Sequence, residues 1–174
     1  MDERGVVLRI SAEHAARYQA YYAEHPTVSL PSRWLDRVED LAIRHQARSV
    51  LDYGSGPSRG LSRFMTRPVL DYDPGVPGLD SPPERADLVV CIHTLEHVEA
   101  ECLDDVLWHL VSLARRALFV VVSCEPSSSK VLPDGTPWHT FVRDAKWWRR
   151  YLHGFVEQPI LKKPGAEYAA LVVV

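Results

Sequence analysis

The chain has 174 residues, 46% of them hydrophobic and 25% charged, with a net charge of −3. That length suits one domain with its own core, and the mild acidity gives no general drive toward nucleic acid or an anionic membrane surface. No stretch approaches the roughly 20 apolar residues that a membrane helix requires, and the opening MDERGVVLRI has no secretory apolar run, so the expectation is a cytoplasmic protein.

The first forty-five residues read as a helical cap. Ser11 is placed to cap a helix running to about Ala23, which His25-Pro26 stops. Ser32 is placed to cap a second helix, with Trp34, Leu35, Val38, Leu41 and Ala42 forming one apolar stripe. Ser49 to Tyr53 then reads as a short strand that breaks into Gly54-Ser55-Gly56-Pro57-Ser58-Arg59-Gly60. A brief helix, about Leu61 to Thr66, fits before a second strand from Pro68 to Tyr72. Pro74, Pro77, Pro82 and Pro83 forbid a helix in the loop that follows. Leu88 to Ile92 is an unbroken apolar run, typical of a strand covered on both faces. Glu99 to Arg115 carries a helical apolar stripe, with Arg115 and Arg116 suited to its C-terminal end. Ala117 to Ser123 reads as another buried strand, followed by a long loop and a helix over about Arg143 to Leu152. A closing hairpin is predicted from Phe155 to Leu161, a Lys162-Lys163-Pro164-Gly165 turn, and Glu167 to Val174. The cysteines, Cys91, Cys102 and Cys124, sit among apolar residues without metal-site spacing and read as buried thiols.

Strands alternating with helices before a hairpin predict an α/β fold: a Rossmann-like, mostly parallel sheet with helices on both faces and a C-terminal antiparallel hairpin. The residues 46–174 form this core, in one domain with the cap. Ligands of such sheets bind beyond the carboxyl ends of the strands, where strand order reverses. Glycines at 54 and 56 let backbone amides approach a ligand there. Asp52, at the strand end, can accept from amides or from a ligand ammonium. A dinucleotide turn wants G-x-G-x-x-G, but its third glycine is replaced by Arg59. Asp73, nineteen residues after Gly54, suits the two hydroxyls of a ribose, with Asp71 as a rival on the same face.

The blocks Val50-Leu51-Asp52-Tyr53-Gly54-Ser55-Gly56, then Asp73, then Asp87-Leu88-Val89-Val90 leading into Leu95-Glu96-His97-Val98 resemble the class I S-adenosylmethionine (SAM)-dependent methyltransferases. The tract LPDGTPWHTFVRDAKWW is similar to one in small bacterial and phage members. The resemblance implies SAM as cofactor, with Asp52, Gly54 and Gly56 lining its methionine part and Asp73 holding its ribose. Ile92 and His93 would lie near the sulfonium and the acceptor, while Glu96 and His97 would serve structure or contact. The chain departs from the family pattern in its bulky Pro57-Ser58-Arg59 and in a third-strand region reduced to the proline loop. Asp80 is the nearest match to an adenine-contacting acid.

Methyl transfer needs positioning, and a base only when the acceptor holds its proton tightly. His93 and His139 are the candidate catalytic residues, with Glu125 and Asp134 as further loop groups. The spacing of His93 and His97 would place both on one helical face, but a turn between them argues against a metal site, and none is expected. Trp147 and Trp148 are expected to pack a helix on the sheet and roof the pocket; the basic and aromatic run around them does not make nucleic acid the acceptor. Tyr18, Tyr21, Tyr22 and Trp34 would form an acceptor-selecting lid. The expected activity is O- or N-methylation of a small molecule. Non-methylating SAM chemistry and a non-catalytic binding subunit are the alternatives, and a homodimer across the short sheet edge is compatible with the pattern.

Overall fold

Alternating side chains sort the buried strands into two layers. In β3 (Ala86–Ile92) the side chains of Leu88, Val90 and Ile92 join one apolar cluster, while Val89 and Cys91 join the other. In β4 (Ala114–Ser123), Ala117, Phe119 and Val121 share the first cluster, and Leu118, Val120 and Val122 share the second. That period of two is what a sheet covered on both faces requires. The structure, a computed structural model, describes residues 10–27, 32–127, 130–158 and 165–174.

The sheet has six strands in the order β2-β1-β3-β4-β6-β5. β1 (Val50–Tyr53), β2 (Val69–Tyr72), β3 and β4 are parallel, and β6 (Glu167–Val173) runs antiparallel to β4 and to the short β5 (Val156–Glu157). The expected architecture is therefore present, including the antiparallel end. Ile160, Leu161 and the Lys162-Lys163-Pro164 part of the predicted turn lie outside the described residues.

The helix α2 (Ser32–Arg44) lays Trp34, Val38, Leu41 and Ala42 on one face of the sheet. The capping role predicted for the Ser32 side chain lies outside what the structure describes. On the other face pack α4 (Leu103–Leu113), through Leu103, Val106 and Leu110, and α5 (Ala145–Tyr151), through Trp148. Burying each such side chain contributes about 1.5–3 kcal/mol. The five-residue α3 (Gly60–Phe64) fills the crossover from β1 to β2 with Leu61. Between β2 and β3, Asp73 to Arg85 form neither strand nor helix, as the prolines dictate.

The boundaries of α4 differ from those predicted. Ala100–Cys102 form a 3-10 turn, and the helix passes straight into β4 at Ala114, whose pairing with Ala86 draws it into the sheet. Arg115 and Arg116 consequently belong to the strand, not to a helix end.

The first helix, α1 (Ala12–Glu24), begins as expected: the Ser11 hydroxyl accepts from the His14 amide. It is also tied to the segment that leads into α4, because the Glu99 carboxylate, just before the Ala100–Cys102 turn, accepts from both the Ser11 amide (2.8 Å) and the Ser11 hydroxyl (2.6 Å). All three cysteines are free thiols; Cys91 is fully buried, while Cys102 and Cys124 are half-buried. Among the described residues, no helix is long and apolar enough to cross a membrane.

Candidate functional site

The chain runs outward from β1 to β2 and then returns to the other side of β1 as β3, so strand order reverses between β1 and β3. Beyond their carboxyl ends lies a cavity of about 420 Å³, within the usual range for small-molecule sites. Asp52, Gly54, Gly56, Asp73, Ile92, His93 and His139 all line it. Residues far apart in sequence meet there because each follows, or lies near the end of, an adjacent strand.

The glycine turn works differently from the expectation. The amides of Gly54 and Ser55 both donate to the Tyr72 carbonyl, at 2.7 and 3.2 Å, and the Gly56 amide donates to Asp73 Oδ2 at 2.9 Å. These donors are spent within the protein, so they are not offered to a ligand. Glycine is required at 54 for two other reasons: φ is +84°, and a Cβ would sit 2.3 Å from Thr94 Oγ1. Arg59, the residue in place of a third glycine, adopts a left-handed conformation and its guanidinium grips Asp71 at 2.7 Å. Asp71, also held by the Ser62 hydroxyl, is thereby turned toward α3 and does not line the cavity.

Asp73 accepts from Gly56 and, through Oδ1, from Gly75 at 2.8 Å, which ties the turn to the proline loop while each oxygen keeps a further acceptor site. Burial pushes its carboxyl up to about 6 against the pull of those amides. Burial, with Asp71 and Asp73 beside it, pushes Asp52 up to about 8. Neither Asp52 nor Asp73 has an ion-pair partner among the described residues. Two buried carboxyl groups facing a cavity without a cationic partner among the described residues favour a ligand that brings positive charge or hydroxyl donors. The ammonium, sulfonium and ribose diol of SAM answer that description.

On the β3 side, His93 has φ +54°, a left-handed conformation uncommon outside glycine and found at functional sites. Its Nε2 lies 2.7 Å from Glu167 Oε1, and the same oxygen accepts from Arg33 Nη2 at 2.5 Å. Burial opposes the charged imidazole, but the Glu167 hydrogen bond and the charges of Glu96 and Glu167 raise its pKa above the usual value. Glu167 is held down at about 2, the His93 and Arg33 bonds outweighing its burial. Glu167 was not legible as a site residue: only the register of β6, which sets it opposite Ser123, brings it here.

Leu95–His97 form a 3-10 turn. Glu96 is fully buried; its Oε1 accepts from the Ser123 amide at 3.1 Å, its Oε2 has no partner among the described residues, and burial pushes the carboxyl up to about 7. His97 lines the cavity, with Nδ1 2.7 Å from the Trp138 carbonyl, and burial pushes it down to about 3. His139 Nδ1 lies 2.7 Å from the Glu125 carbonyl, and burial lowers its pKa too. One donor atom from each of Glu96, His97 and His139 lies within 4.8 Å of the others.

Other expectations are redistributed. Tyr18 and Tyr22 line the cavity, but Tyr21 packs against Trp138 and His25, and Trp34 is a core residue against Phe119. Trp148 is fully buried under the sheet and Trp147 stacks on Tyr151; the indole that walls the cavity is Trp138. Glu125 lines the cavity, whereas Asp134 pairs with Arg17 at 2.9 Å away from it. Asp80 accepts from the Gly78 amide and does not line the cavity, so it is not placed to read adenine.

No protein-family model matches the sequence, and comparison with curated proteins finds no match. Solved structures do match. A Burkholderia thailandensis 1,6-didemethyltoxoflavin-N1-methyltransferase, with 1,6-didemethyltoxoflavin and S-adenosylhomocysteine (SAH) bound, superposes with a TM-score of 0.65 at 16% identity, covering 97% of this chain and 92% of that one. DhpI in complex with SAH gives 0.57 at 20% identity, over 92% and 95%. The magnesium protoporphyrin IX methyltransferase ChlM of Synechocystis with bound SAM gives 0.51 at 16% identity, over 89% and 82%. Six strands in this order, the cavity at the switch point and these structural neighbours together show that the chain has the class I SAM-dependent methyltransferase fold.

Proposed function

We propose that this protein is a SAM-dependent methyltransferase that acts on an oxygen or nitrogen of a small molecule. The observation that carries the reading is the pair of buried carboxyl groups, Asp52 and Asp73, without cationic partners among the described residues and opening onto one cavity at the switch point of this fold. SAM, when bound, supplies a methyl group on a sulfonium: the acceptor lone pair forms the new bond to carbon as the carbon–sulfur bond breaks and its electrons pass to sulfur. Asp52 would face the ammonium end and Asp73 the ribose diol, using the acceptor sites left beside the Gly56 and Gly75 amides. Ile92 would pack near the reacting carbon. His93, which lines the cavity, would take the acceptor's proton: Glu167 occupies Nε2, so Nδ1 would be the nitrogen that accepts it. His139, neutral and at the cavity wall, is a second candidate for orienting the acceptor.

A small acceptor is supported by the enclosed volume and by neighbours whose bound or named substrates are small molecules. Incubation with methyl-labelled SAM and a fractionated metabolite extract tests the reading. Labelled product with equimolar SAH is expected. Methylthioadenosine in place of SAH would overturn methyl transfer, and absence of calorimetric affinity for SAH would overturn the cofactor assignment.

A further inference from the structure

Glu96, His97 and His139 come from a turn after β3 and from the loop between β4 and α5, yet their donor atoms converge within 4.8 Å. The hydrogen bonds fix which atoms are on offer. His97 Nδ1 and His139 Nδ1 each face a backbone carbonyl at 2.7 Å. A carbonyl only accepts, so both rings carry their proton on Nδ1 and leave a lone pair on Nε2. The Tyr18 hydroxyl, which donates to the Trp138 carbonyl, reinforces His97 in this state. Glu96 Oε1 is held by the Ser123 amide, while Oε2 is buried with no partner among the described residues. Each of the three residues thus keeps a donor for an ion, two imidazole lone pairs and a carboxylate oxygen with no partner among the described residues, and the hydrogen bonds on their other atoms are of the kind that orient metal ligands.

We infer that Glu96, His97 and His139 bind a divalent cation of the zinc, cobalt or manganese class at the cavity wall. The H-x-x-x-H pair of His93 and His97 weighed in the sequence is not the set used: His93 is engaged by Glu167, and His139 takes its place through tertiary packing. Nitrogen donors select against magnesium and calcium, which prefer oxygen alone. Ligand bonds of about 2.0–2.2 Å put donors on one ion roughly 3–3.5 Å apart, so binding draws the three together by about an ångström, and His139 lies in the segment between β4 and α5, outside any helix or strand. Three protein ligands leave open positions. They face the cavity, because His97 and His139 line it and Glu96 lies behind them. The inference rests on the methyltransferase reading for its purpose: an acceptor hydroxyl taken as a further ligand is fixed in place, and its proton is released more readily.

Tag-free full-length protein, stripped with chelator and titrated with Co²⁺, should bind one equivalent with a visible d–d absorption. His139→Ala and Glu96→Gln, each confirmed folded by circular dichroism, should weaken binding by about tenfold or more. Glu96 is a core residue, so the loop variant His139→Ala keeps the test open if the other fails to fold. Asp73→Ala should lower SAH affinity about ten- to a hundredfold in calorimetry and leave the Co²⁺ spectrum unchanged. Lack of stoichiometric Co²⁺ binding, or binding indifferent to His139→Ala, overturns the site. Co²⁺ binding that His139→Ala removes, in a protein with no affinity for SAH, supports the site and overturns the methyltransferase reading instead.

Discussion

Replacing Asp52 by Asn probes the electrostatics of the cavity floor. Asp52 is 6% exposed, and burial beside Asp71 and Asp73 pushes its carboxyl up to about 8. At pH 7 a group with that pKa is roughly nine-tenths protonated in the free protein. A ligand ammonium at its side favours the carboxylate, so binding expels the proton. Linkage then gives release of about 0.9 proton per SAH at pH 7, and affinity about fiftyfold higher at pH 8 than at pH 6. The sign follows from the ligand binding the unprotonated form: affinity climbs as pH rises toward 8 and levels above it. Stability of the free protein runs the other way. The folded pKa of Asp52 lies above its unfolded value, so its contribution is full below about pH 4 and is lost as pH rises through about 8. Titration calorimetry with SAH, in metal-free buffers of different ionisation enthalpy, reads the released proton from the slope of heat against that enthalpy. In Asp52→Asn the slope should fall close to zero, since Asp73, at about 6, is mostly ionised at pH 7. A flat wild-type slope, or one that survives the substitution, refutes the reasoning.

Glu167→Gln removes the charge that steadies a protonated His93 while keeping the side-chain shape. The His93 pKa should fall, and the acid limb of the kcat/KM profile should move about one unit to lower pH; an acid limb that stays put would exclude His93 as the base. Gly54→Ala combines a left-handed φ with a Cβ 2.3 Å from Thr94 Oγ1, and should cost about 2–4 kcal/mol in thermal unfolding. Gly78, with φ +86° and open space around it, is the control. Its alanine variant should cost about 1–2 kcal/mol, and equal costs at the two sites would mean that close approach to Thr94 is not what demands glycine.

What was legible in the sequence was set by near neighbours in the chain. Ser11 and Pro26 bound α1, and the apolar runs of β3 and β4 announce strands buried on both faces. The cavity residues share one rule, that ligand-facing groups follow strand ends, so Asp52, Asp73, His93 and His139 could be singled out without knowing their partners. Partners were another matter. Whether Asp71 or Asp73 faces the ligand depends on the backbone of Arg59, whose guanidinium claims Asp71. Whether an indole walls the cavity depends on docking: Trp147 and Trp148 advertise themselves by position in a helix, while Trp138 sits in a loop whose path is fixed by Tyr18 and His97. Glu167 enters through antiparallel register, which no local pattern encodes.

The reduced region after β2 helps explain why α1 belongs to the site. Without a strand and helix between β2 and β3, the Asp73 to Arg85 loop has no regular element of its own to cover it. Helix α1 takes that place: a Cβ at Gly75 would lie 2.8 Å from Tyr18 Cβ and 3.3 Å from the Tyr22 ring, so the loop passes directly beneath the helix. The same Tyr18 bonds through its hydroxyl to the Trp138 carbonyl and to His97 Nδ1. His14, one turn earlier, reaches the His97 carbonyl, and Arg17 holds Asp134 of the loop beyond. One helix therefore touches both the loop that carries Asp73 and the cavity histidine His97. A packed helix thus joins the Asp73 side of the cavity to the side formed by His97 and Trp138, and those contacts, more than the exposed face of a lid, are what place Tyr18 and Tyr22 in its lining.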